Sequence, residues 1–539
     1  MVAAPIIRTC SLALALLAAL PATAQQAAPP PPVDLRDYAR TRAADAAGEA
    51  ALAAAGYARA LDSVPDDQVL AMRAYRQGIA VGDFALASRA AAVLDRATVA
   101  PPDTALLAFA VALHAGDRAG EDRALLRLSG AQLDFLVPVL RAWIALDRKQ
   151  DPLPLLDAAQ GNGLAAPFAE RHRALLLIAT GKADDGLFAL AAASGSDQAQ
   201  DPRIDAAIAL LRSGKASKAE PILSGLAGAS KAWRKRQAKA GRPDAAFGAA
   251  HLFLGLASDL READMAPLSI LLTRAALLLD PQEDRARLLL AEALSRSNAT
   301  DVALDMFAGI RLDGPFARSA ATGEVGALRR AGRLPEALTL AEKLAAANGA
   351  TTHDLRSYGE LLFQDGRYGD AATAFGRALD RTEGDGGWEL NYLRGAALDR
   401  AGKWDEALPA LQRAVKLGPD EPEALAWLGN AQVERGVDLP GAQALLERAR
   451  SIKPDDAEIT DSLGRAYYAE GQLGRALPLL ETAVRADPGN ARANEHLGDA
   501  YWKLGRRMEA RYAWRAAQVT ADAGDVARLK AKLADGLPQ

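Results

Sequence analysis

The stretch SLGRAYYAEGQLGRALPLLETAVRADP, residues 462–488, decides the fold, because its arrangement of small and large residues recurs along the C-terminal part of the chain. The next copy, HLGDAYWKLGRRMEARYAWRAA, spans residues 496–517. Four glycines at the equivalent position are separated by 34, 35 and 34 residues: Gly395, Gly429, Gly464 and Gly498. A fixed period of this length is typical of a helix–turn–helix unit that stacks into a solenoid.

The conspicuous residues of the first stretch have packing roles in a pair of antiparallel helices. Gly464 and Ala476 are small enough to lie where the two helices cross, and Leu480 fills the remaining space. Gly471 ends the first helix in a turn. Pro488 stops the second helix before the next unit. The pattern predicts an all-α protein.

These residues resemble the tetratricopeptide-repeat (TPR) family, most strongly over residues 353–520. The large aromatic of the family's second helix is present as Trp514, whereas Leu480 replaces it one unit earlier. Weaker half-units precede this block, for example at Gly332 with Ala337. The resemblance implies an all-α, TPR-type α-solenoid, in which helix–turn–helix repeats form a right-handed superhelix.

We divide the chain by how closely each part follows the repeat. A proline-rich run and a segment rich in lysine and arginine around Trp233 interrupt it. Near the C-terminus, Val526, Leu529 and Leu533 recur at helical spacing, which predicts a helix that covers the last apolar face. The expected organisation is a signal peptide (1–24), a Pro-rich tether (25–36), a degenerate TPR-like solenoid (37–225), a basic linker (226–244), degenerate TPR-like hairpins (245–350), well-formed TPR repeats (351–521) and a capping helix (522–539).

The N-terminus has the parts of a secretory signal peptide. Arg8 precedes the apolar run at residues 12–20, and small residues define a cleavage site after Ala24. The run is shorter than the roughly 20 residues that a membrane-spanning helix needs. Cys10 precedes most of this run, which is not the place of an acylated lipoprotein cysteine. We therefore expect a soluble periplasmic protein without a lipid anchor or, after cleavage, an integral membrane segment.

Composition and motifs exclude several classes of function. A formal net charge of -4 and a pI of 5.9 provide no general positive field for nucleic acid or anionic lipid. Gly181-Lys182 and Gly214-Lys215 are each followed by Ala, so neither ends a phosphate-binding loop. The five histidines show no metal-ligand spacing. We expect no catalytic, cofactor-binding or metal-binding residues, and hence no enzyme.

The resemblance also implies a binding surface, because the first helix of each TPR unit lines a concave groove. An extended peptide or a helix from another protein is the expected ligand there. For Tyr468 and Trp502, packing against the neighbouring unit is an equally good interpretation. The carboxylate clamp of chaperone-associated TPR domains is not present, since Ala426 stands where its lysine belongs. The groove residues carried over from the family are Arg356, Phe363, Tyr392, Arg400, Asn430, Asp461, Arg465, Tyr468, Glu495, Asp499 and Trp502.

The signal peptide together with the closing unit is similar to the long periplasmic TPR proteins of alphaproteobacteria. More distantly, it resembles the TPR lipoprotein adaptors of carboxy-terminal processing proteases, from which it departs by lacking their lipid-anchoring cysteine. This implies a non-catalytic adaptor that brings a periplasmic protease, or another envelope enzyme, to its substrates. The alternative is a structural component of an envelope assembly or polysaccharide export complex.

Overall fold

The computed structural model describes residues 34–537, except 131, 160–161, 194–199, 225, 227, 261–264, 383 and 385–386. The predicted signal peptide and most of the predicted tether lie outside the described residues. Apart from one 3-10 turn (Asp134–Leu136), the regular elements described there are α-helices. In chain order they are α1 (Leu35–Ala47), α2 (Ala50–Ser63), α3 (Gln68–Val81), α4 (Phe84–Arg96), α5 (Thr104–Ala115), α6 (Arg118–Leu128), α7 (Val137–Asp147), α8 (Leu153–Asp157), α9 (Ala166–Ala179), α10 (Ala183–Ala193), α11 (Gln200–Arg212), α12 (Ala216–Leu223), α13 (Lys231–Lys239), α14 (Ala245–Asp259), α15 (Ala266–Leu279), α16 (Asp284–Arg296), α17 (Thr300–Ala308), α18 (Ala317–Arg330), α19 (Leu334–Ala346), α20 (Thr352–Gln364), α21 (Tyr368–Leu379), α22 (Gly387–Arg400), α23 (Trp404–Leu417), α24 (Pro422–Arg435), α25 (Leu439–Ile452), α26 (Ala457–Ala469), α27 (Leu473–Ala486), α28 (Ala491–Lys503), α29 (Arg507–Thr520) and α30 (Ala523–Asp535).

The helices begin and end where the sequence supplies local signals. The Asp456 carboxylate accepts hydrogen bonds from the backbone N–H groups of Glu458 and Ile459, which satisfies free donors at the start of α26. Gly471 follows α26 with a φ of 75°, a left-handed conformation that turns the chain into α27. The predicted helix–turn–helix units arise from such caps.

Glycines lie where paired helices cross, as the sequence predicts. A Cβ atom at Gly464 would lie 2.8 Å from Leu480 Cδ2, and one at Gly498 would lie 2.4 Å from Trp514 Cδ1. Both distances are shorter than carbon atoms tolerate without a shift. Glycine therefore permits this close approach of the helices, and the predicted all-α repeat architecture is confirmed.

The first of two compact units contains the described residues of Met1–Gly225 and of Arg234–Val302. Its centre is α14, which is buried along most of its length and packs against α5, α7, α9 and α16. The next helix, α15, contacts α3 and α5, and Arg274 Nη2 donates to the backbone oxygen of Ala80. These contacts join helices far apart in sequence, which a strictly consecutive stack of repeats would not do.

The second unit contains the described residues of Leu226–Trp233 and of Ala303–Gln539. From α18 to α29, each helix packs against the next in the chain, and the first helices of successive pairs (α20, α22, α24, α26 and α28) also contact one another. The last helix, α30, packs on α29 and buries Leu529 beside Trp514. Throughout the described ranges, we find no helix with the length and apolarity needed to cross a bilayer.

Part of the segment predicted as a basic linker is helix α13. Arg234 Nη1 donates to both carboxylate oxygens of Glu220, at 2.7 and 2.6 Å. Trp233 is buried, with 1% of its surface exposed. The charges of this segment are therefore partly engaged within the protein.

Candidate protein-binding groove

An aromatic row runs across the first helices of three successive pairs in the second unit. Trp427 of α24 is its centre: its ring centroid lies 6.4 Å from that of Phe363 and 5.9 Å from that of Tyr392, in edge-to-face arrangements. Trp388 extends the row, with its centroid 6.2 Å from that of Tyr392. The small-residue packing behind these helices holds them side by side, which brings the aromatic rings together.

Arg400, the last residue of α22, lies over the central ring of this row. Its guanidinium carbon is 5.3 Å from the centroid of Trp427, a distance suited to a cation–π interaction. The Trp427 Nε1–H donates to Asp399 Oδ2 at 3.0 Å, and Asp399 also pairs with Arg435. Arg400 itself is exposed and has no carboxylate partner among the residues that the structure describes.

Beside the row, α22, α24, α26 and α28 line an open cavity of about 390 Å³. Arg492 and Arg465 both approach the Glu434 carboxylate, at 2.8 and 3.6 Å. Burial alone would raise the pKa of Glu434, but these two guanidinium groups hold it below its ordinary value. The Arg465 Nη1–H also donates to Asn430 Oδ1 at 2.8 Å. Most charges in this cavity are thus paired with one another, in contrast to Arg400.

A second, smaller cavity of about 270 Å³ follows along the same face. Tyr468 forms part of its wall, and burial together with the charge of Asp499 raises the pKa of Tyr468 to about 12. On α28, Glu495 and Asp499 are held by Lys532 of α30, whose Nζ lies 2.6 Å from Glu495 Oε1 and 2.7 Å from Asp499 Oδ2. The C-terminal helix therefore occupies the acidic end of this face.

Most of the residues predicted for the groove line these two cavities. Tyr392, Arg400 and Asn430 contribute to the first, and Arg465, Tyr468, Glu495 and Asp499 to the second.

The other four predicted residues do not line either cavity. Phe363 belongs to the aromatic row, and Arg356 forms ion pairs with Glu360 and Glu389. Asp461 Oδ2 lies 2.8 Å from His496 Nδ1.

Trp502 packs within the C-terminal end of the second unit. Its ring centroid is 5.3 Å from that of Trp514, and a Cβ at Gly536 would collide with its indole. The sequence allowed two interpretations of Trp502, a groove residue or a packing residue. The structure shows it packed against the neighbouring helices. Tyr468 combines both, because it lines the second cavity and also contacts the core around Leu480.

Trp427, Arg435 and Arg492 are important residues of the face that the family positions did not identify. Trp427 directly precedes Leu428-Gly429 in the repeat, at a place outside the groove positions carried over from the family. The only hint in the sequence was the tryptophan itself, which stands directly before Leu428 and Gly429. Arg492 lies at the start of α28, and its contact with Glu434 spans 58 residues, which no local pattern shows.

The side chains of the described ranges offer no group of three or more His, Cys, Asp or Glu residues placed to hold a metal ion. The cavities are instead lined by paired charges and aromatic rings, which suit the recognition of a polypeptide.

Comparison with known families matches tetratricopeptide-repeat models to residues 323–387 and 400–466, and a TPR repeat model to residues 464–505. No curated protein matches the chain. Similar solved structures include a tetratricopeptide-repeat protein from Parabacteroides merdae, with 14% identity over 53% of this chain and 97% of that chain and a TM-score of 0.35. A thermophilic TPR protein from Thermus thermophilus has 23% identity over 34% of this chain and 98% of that chain, with a TM-score of 0.30. YrrB, described as a TPR protein with an unusual peptide-binding site, has 23% identity over 32% of this chain and 88% of that chain, with a TM-score of 0.28.

Solenoids built from such repeats present extended surfaces that bind other proteins, so the general function of this chain is that of a protein-interaction scaffold. The helix pairs, their small-to-large packing and the three family matches identify residues 323–387 and 400–505 as tetratricopeptide repeats.

Proposed function

We propose that the face formed by α22, α24, α26 and α28 binds an extended segment of another protein, and that the chain thereby acts as a non-catalytic adaptor in the bacterial cell envelope. The observation that carries the proposal is Arg400, an exposed guanidinium stacked on Trp427 at the edge of an open cavity. The partner segment contributes a carboxylate to Arg400 and an apolar side chain to the aromatic row.

The carboxylate is suggested by how the neighbouring cations are used. Arg435 pairs with Asp399, and Arg492 with Glu434, whereas Arg400 has no acid partner within the described residues. Stacking on an indole restricts a guanidinium without neutralising it, so less side-chain entropy is lost when an acid binds. A side-chain carboxylate or a chain terminus would satisfy it equally well.

The apolar anchor is suggested by the rings that remain partly accessible. Trp427 and Tyr392 line the cavity together with Ala426 and Ile459. Burial, followed by the charges of Glu423 and Glu458, raises the pKa of Tyr392, so its hydroxyl stays protonated and can donate to a partner's carbonyl oxygen. Aromatic residues in such positions are frequent hot spots of protein interfaces.

The envelope role rests on the sequence. Residues 1–24 have the features of a secretory signal peptide, and the repeat pattern resembles that of periplasmic TPR proteins and of protease adaptors. An adaptor needs a surface for the enzyme and a surface for the substrate. The groove would supply one of them and bring a periplasmic protease, or another envelope enzyme, to its target.

Affinity purification of the mature protein from periplasm, followed by mass spectrometry, tests this function. We expect a protease with cell-wall hydrolases to accompany the wild-type protein and to be lost with Arg400→Glu. The matched control is Arg485→Glu, because Arg485 is an exposed arginine of α27 outside both cavities. Recovery of a transport or export complex would instead support the structural alternative, and retention of all partners by Arg400→Glu would rule out the groove.

A further inference from the structure

A cluster of buried ionisable side chains lies at the centre of the first unit, away from the groove. It joins α11, α14 and α16 through Asp205, His251 and Arg285. His251 Nδ1 is 2.9 Å from Asp205 Oδ1, and Arg285 Nη1 is 3.0 and 3.1 Å from the two oxygens of the same carboxylate. The side chains of His251 and Arg285 are only 1% and 4% exposed.

The Asp205 carboxylate is ionised in this arrangement. Burial alone would raise its pKa, but Arg285 and His251 hold the pKa of Asp205 well below its ordinary value. An ionised carboxylate can only accept hydrogen bonds. The proton on His251 Nδ1 is therefore the one donated to Asp205, which leaves Nε2 as the nitrogen whose protonation is open.

His251 Nε2 faces a second acid. Glu283 Oε2 lies 3.9 Å from it, and the Glu283 side chain is 3% exposed. Neither atom has a hydrogen-bond partner within the described part of the chain. The other Glu283 oxygen accepts from the backbone N–H of Arg285, which fixes the carboxyl group at the start of α16. If both atoms were deprotonated, a nitrogen lone pair would face a carboxylate oxygen without any donor between them.

We propose that His251 and Glu283 together hold one proton, carried by one residue or the other, and that this proton makes the packing of α11, α14 and α16 sensitive to pH. With the proton present, the imidazole and the carboxyl group attract each other, whichever atom carries it. Without it, an uncompensated negative charge remains in the centre of the unit, which is costly in a buried site.

The other buried charges around the pair compensate one another, so a single proton makes the His251–Glu283 pair neutral. Arg285 balances Asp205, and Arg212 balances Asp280, whose oxygen it contacts at 2.6 Å.

Two further groups complete the environment of the pair. Asp284 pairs with Arg287 at 3.3 Å. On α9, burial lowers the pKa of His172 to about 3, so His172 is neutral. The His251–Glu283 pair is then neutral with one proton and carries a charge of about -1 without it.

The sign of the pH effect follows from proton counting. In the unfolded chain a histidine loses its proton near its ordinary pKa of about 6.5. In the proposed pair the proton is retained above this pH because its loss would leave an uncompensated charge in a buried site, and burial raises the pKa of Glu283 in the same direction. The folded state thus binds more protons than the unfolded state above about pH 6.5, and the stability of the unit falls as pH rises from there.

Hydrogen exchange of the full chain, followed by mass spectrometry between pH 6 and 9, tests the proposal. After correction for the intrinsic exchange rate, we expect protection of α11 and α14 to fall by up to about tenfold per pH unit above pH 6.5. Peptides of α26 serve as the internal reference and should not change in this way. If the α26 peptides showed the same pH dependence as the peptides of α11 and α14, the proposal would be overturned.

Glu283→Gln provides the second arm. Its amide keeps an acceptor for the Arg285 N–H and offers an N–H to His251 Nε2, so no shared proton is needed. We expect the loss of protection above pH 6.5 to disappear in this variant and to persist in Glu170→Gln, an exposed acid on α9. An unchanged pH profile in a folded Glu283→Gln protein would show that the pair is not the titrating element.

Discussion

Lys532 Nζ lies 2.7 Å from Asp499 Oδ2, which ties the C-terminal helix to the last helix of the groove. The same ammonium group is 2.6 Å from Glu495 Oε1, and Arg528 Nη2 lies 2.9 Å from the other oxygen of Glu495. A helix expected to cover apolar surface thus also neutralises two acids at the end of the binding face.

Replacing Lys532 by alanine should destabilise the C-terminal unit by about 2 kcal/mol, because Asp499 would lose its ion pair and Glu495, only 5% exposed, would keep Arg528 alone as a cationic partner. Urea denaturation followed by tryptophan fluorescence near Trp502 and Trp514 would measure the change. Lys530→Ala is the control, since Lys530 is exposed on the same helix and should shift the midpoint only slightly. Equal effects of the two variants would contradict this account.

Gly498→Ala should destabilise the last repeat by about 1–3 kcal/mol, because the added methyl group would meet the buried indole of Trp514 at 2.4 Å. Gly464→Ala should cost less, since the tip of Leu480 can move more easily than a ring. Thermal unfolding followed by circular dichroism would show which of the two variants has the lower melting temperature.

Gly474→Ala on α27 should have the opposite effect, because the added methyl group would meet no atom within 4 Å. We expect it to stabilise the protein by up to about 1 kcal/mol in the same unfolding measurement.

Binding should depend on the groove more than on the basic helix α13. Arg400→Ala should weaken capture of the main partner by about tenfold, a loss of roughly 1.4 kcal/mol, which is typical of a charged anchor. Neutralising Arg234 and Lys235 together should weaken it only slightly, and mostly at low salt. Isothermal titration with the purified partner would compare the variants; a larger loss in the α13 variant would move the binding site away from the groove.

The first unit should lose stability as pH falls below about 6.5. Burial lowers the folded-state pKa of His172 from 6.5 to about 3, so the unfolded state binds more protons between these values. The expected slope is up to about 1.4 kcal/mol per pH unit. His172→Asn keeps an acceptor for the Trp143 Nε1–H, which lies 2.9 Å from His172 Nδ1, and should reduce the slope in pH-dependent urea denaturation. If the wild-type protein and His172→Asn showed the same slope, a group other than His172 would be responsible for the pH dependence.

Much of the groove could be predicted because its residues occupy repeated positions. Tyr392 and Arg400 occupy two of the family's groove positions on the first helix of one unit, so their place along the cavity follows from the repeat. Trp427 could not be placed in this way, since its contacts with Phe363 and Tyr392 depend on how neighbouring units rotate against each other. Trp502 packs against Trp514 of its own helix pair and in the core that α30 completes, rather than lining a cavity.

The sequence by itself determined the helical repeat, because glycine, alanine and large apolar residues at a 34-residue period specify local turns and close helix crossings within each pair. Only the tertiary structure decided which charges meet. The pairs Arg492–Glu434 and Arg285–Asp205 are 58 and 80 residues apart. A periodic pattern specifies contacts within a unit and between adjacent units, but the partner of a side chain farther away depends on the accumulated twist of every helix between them, which no local segment encodes.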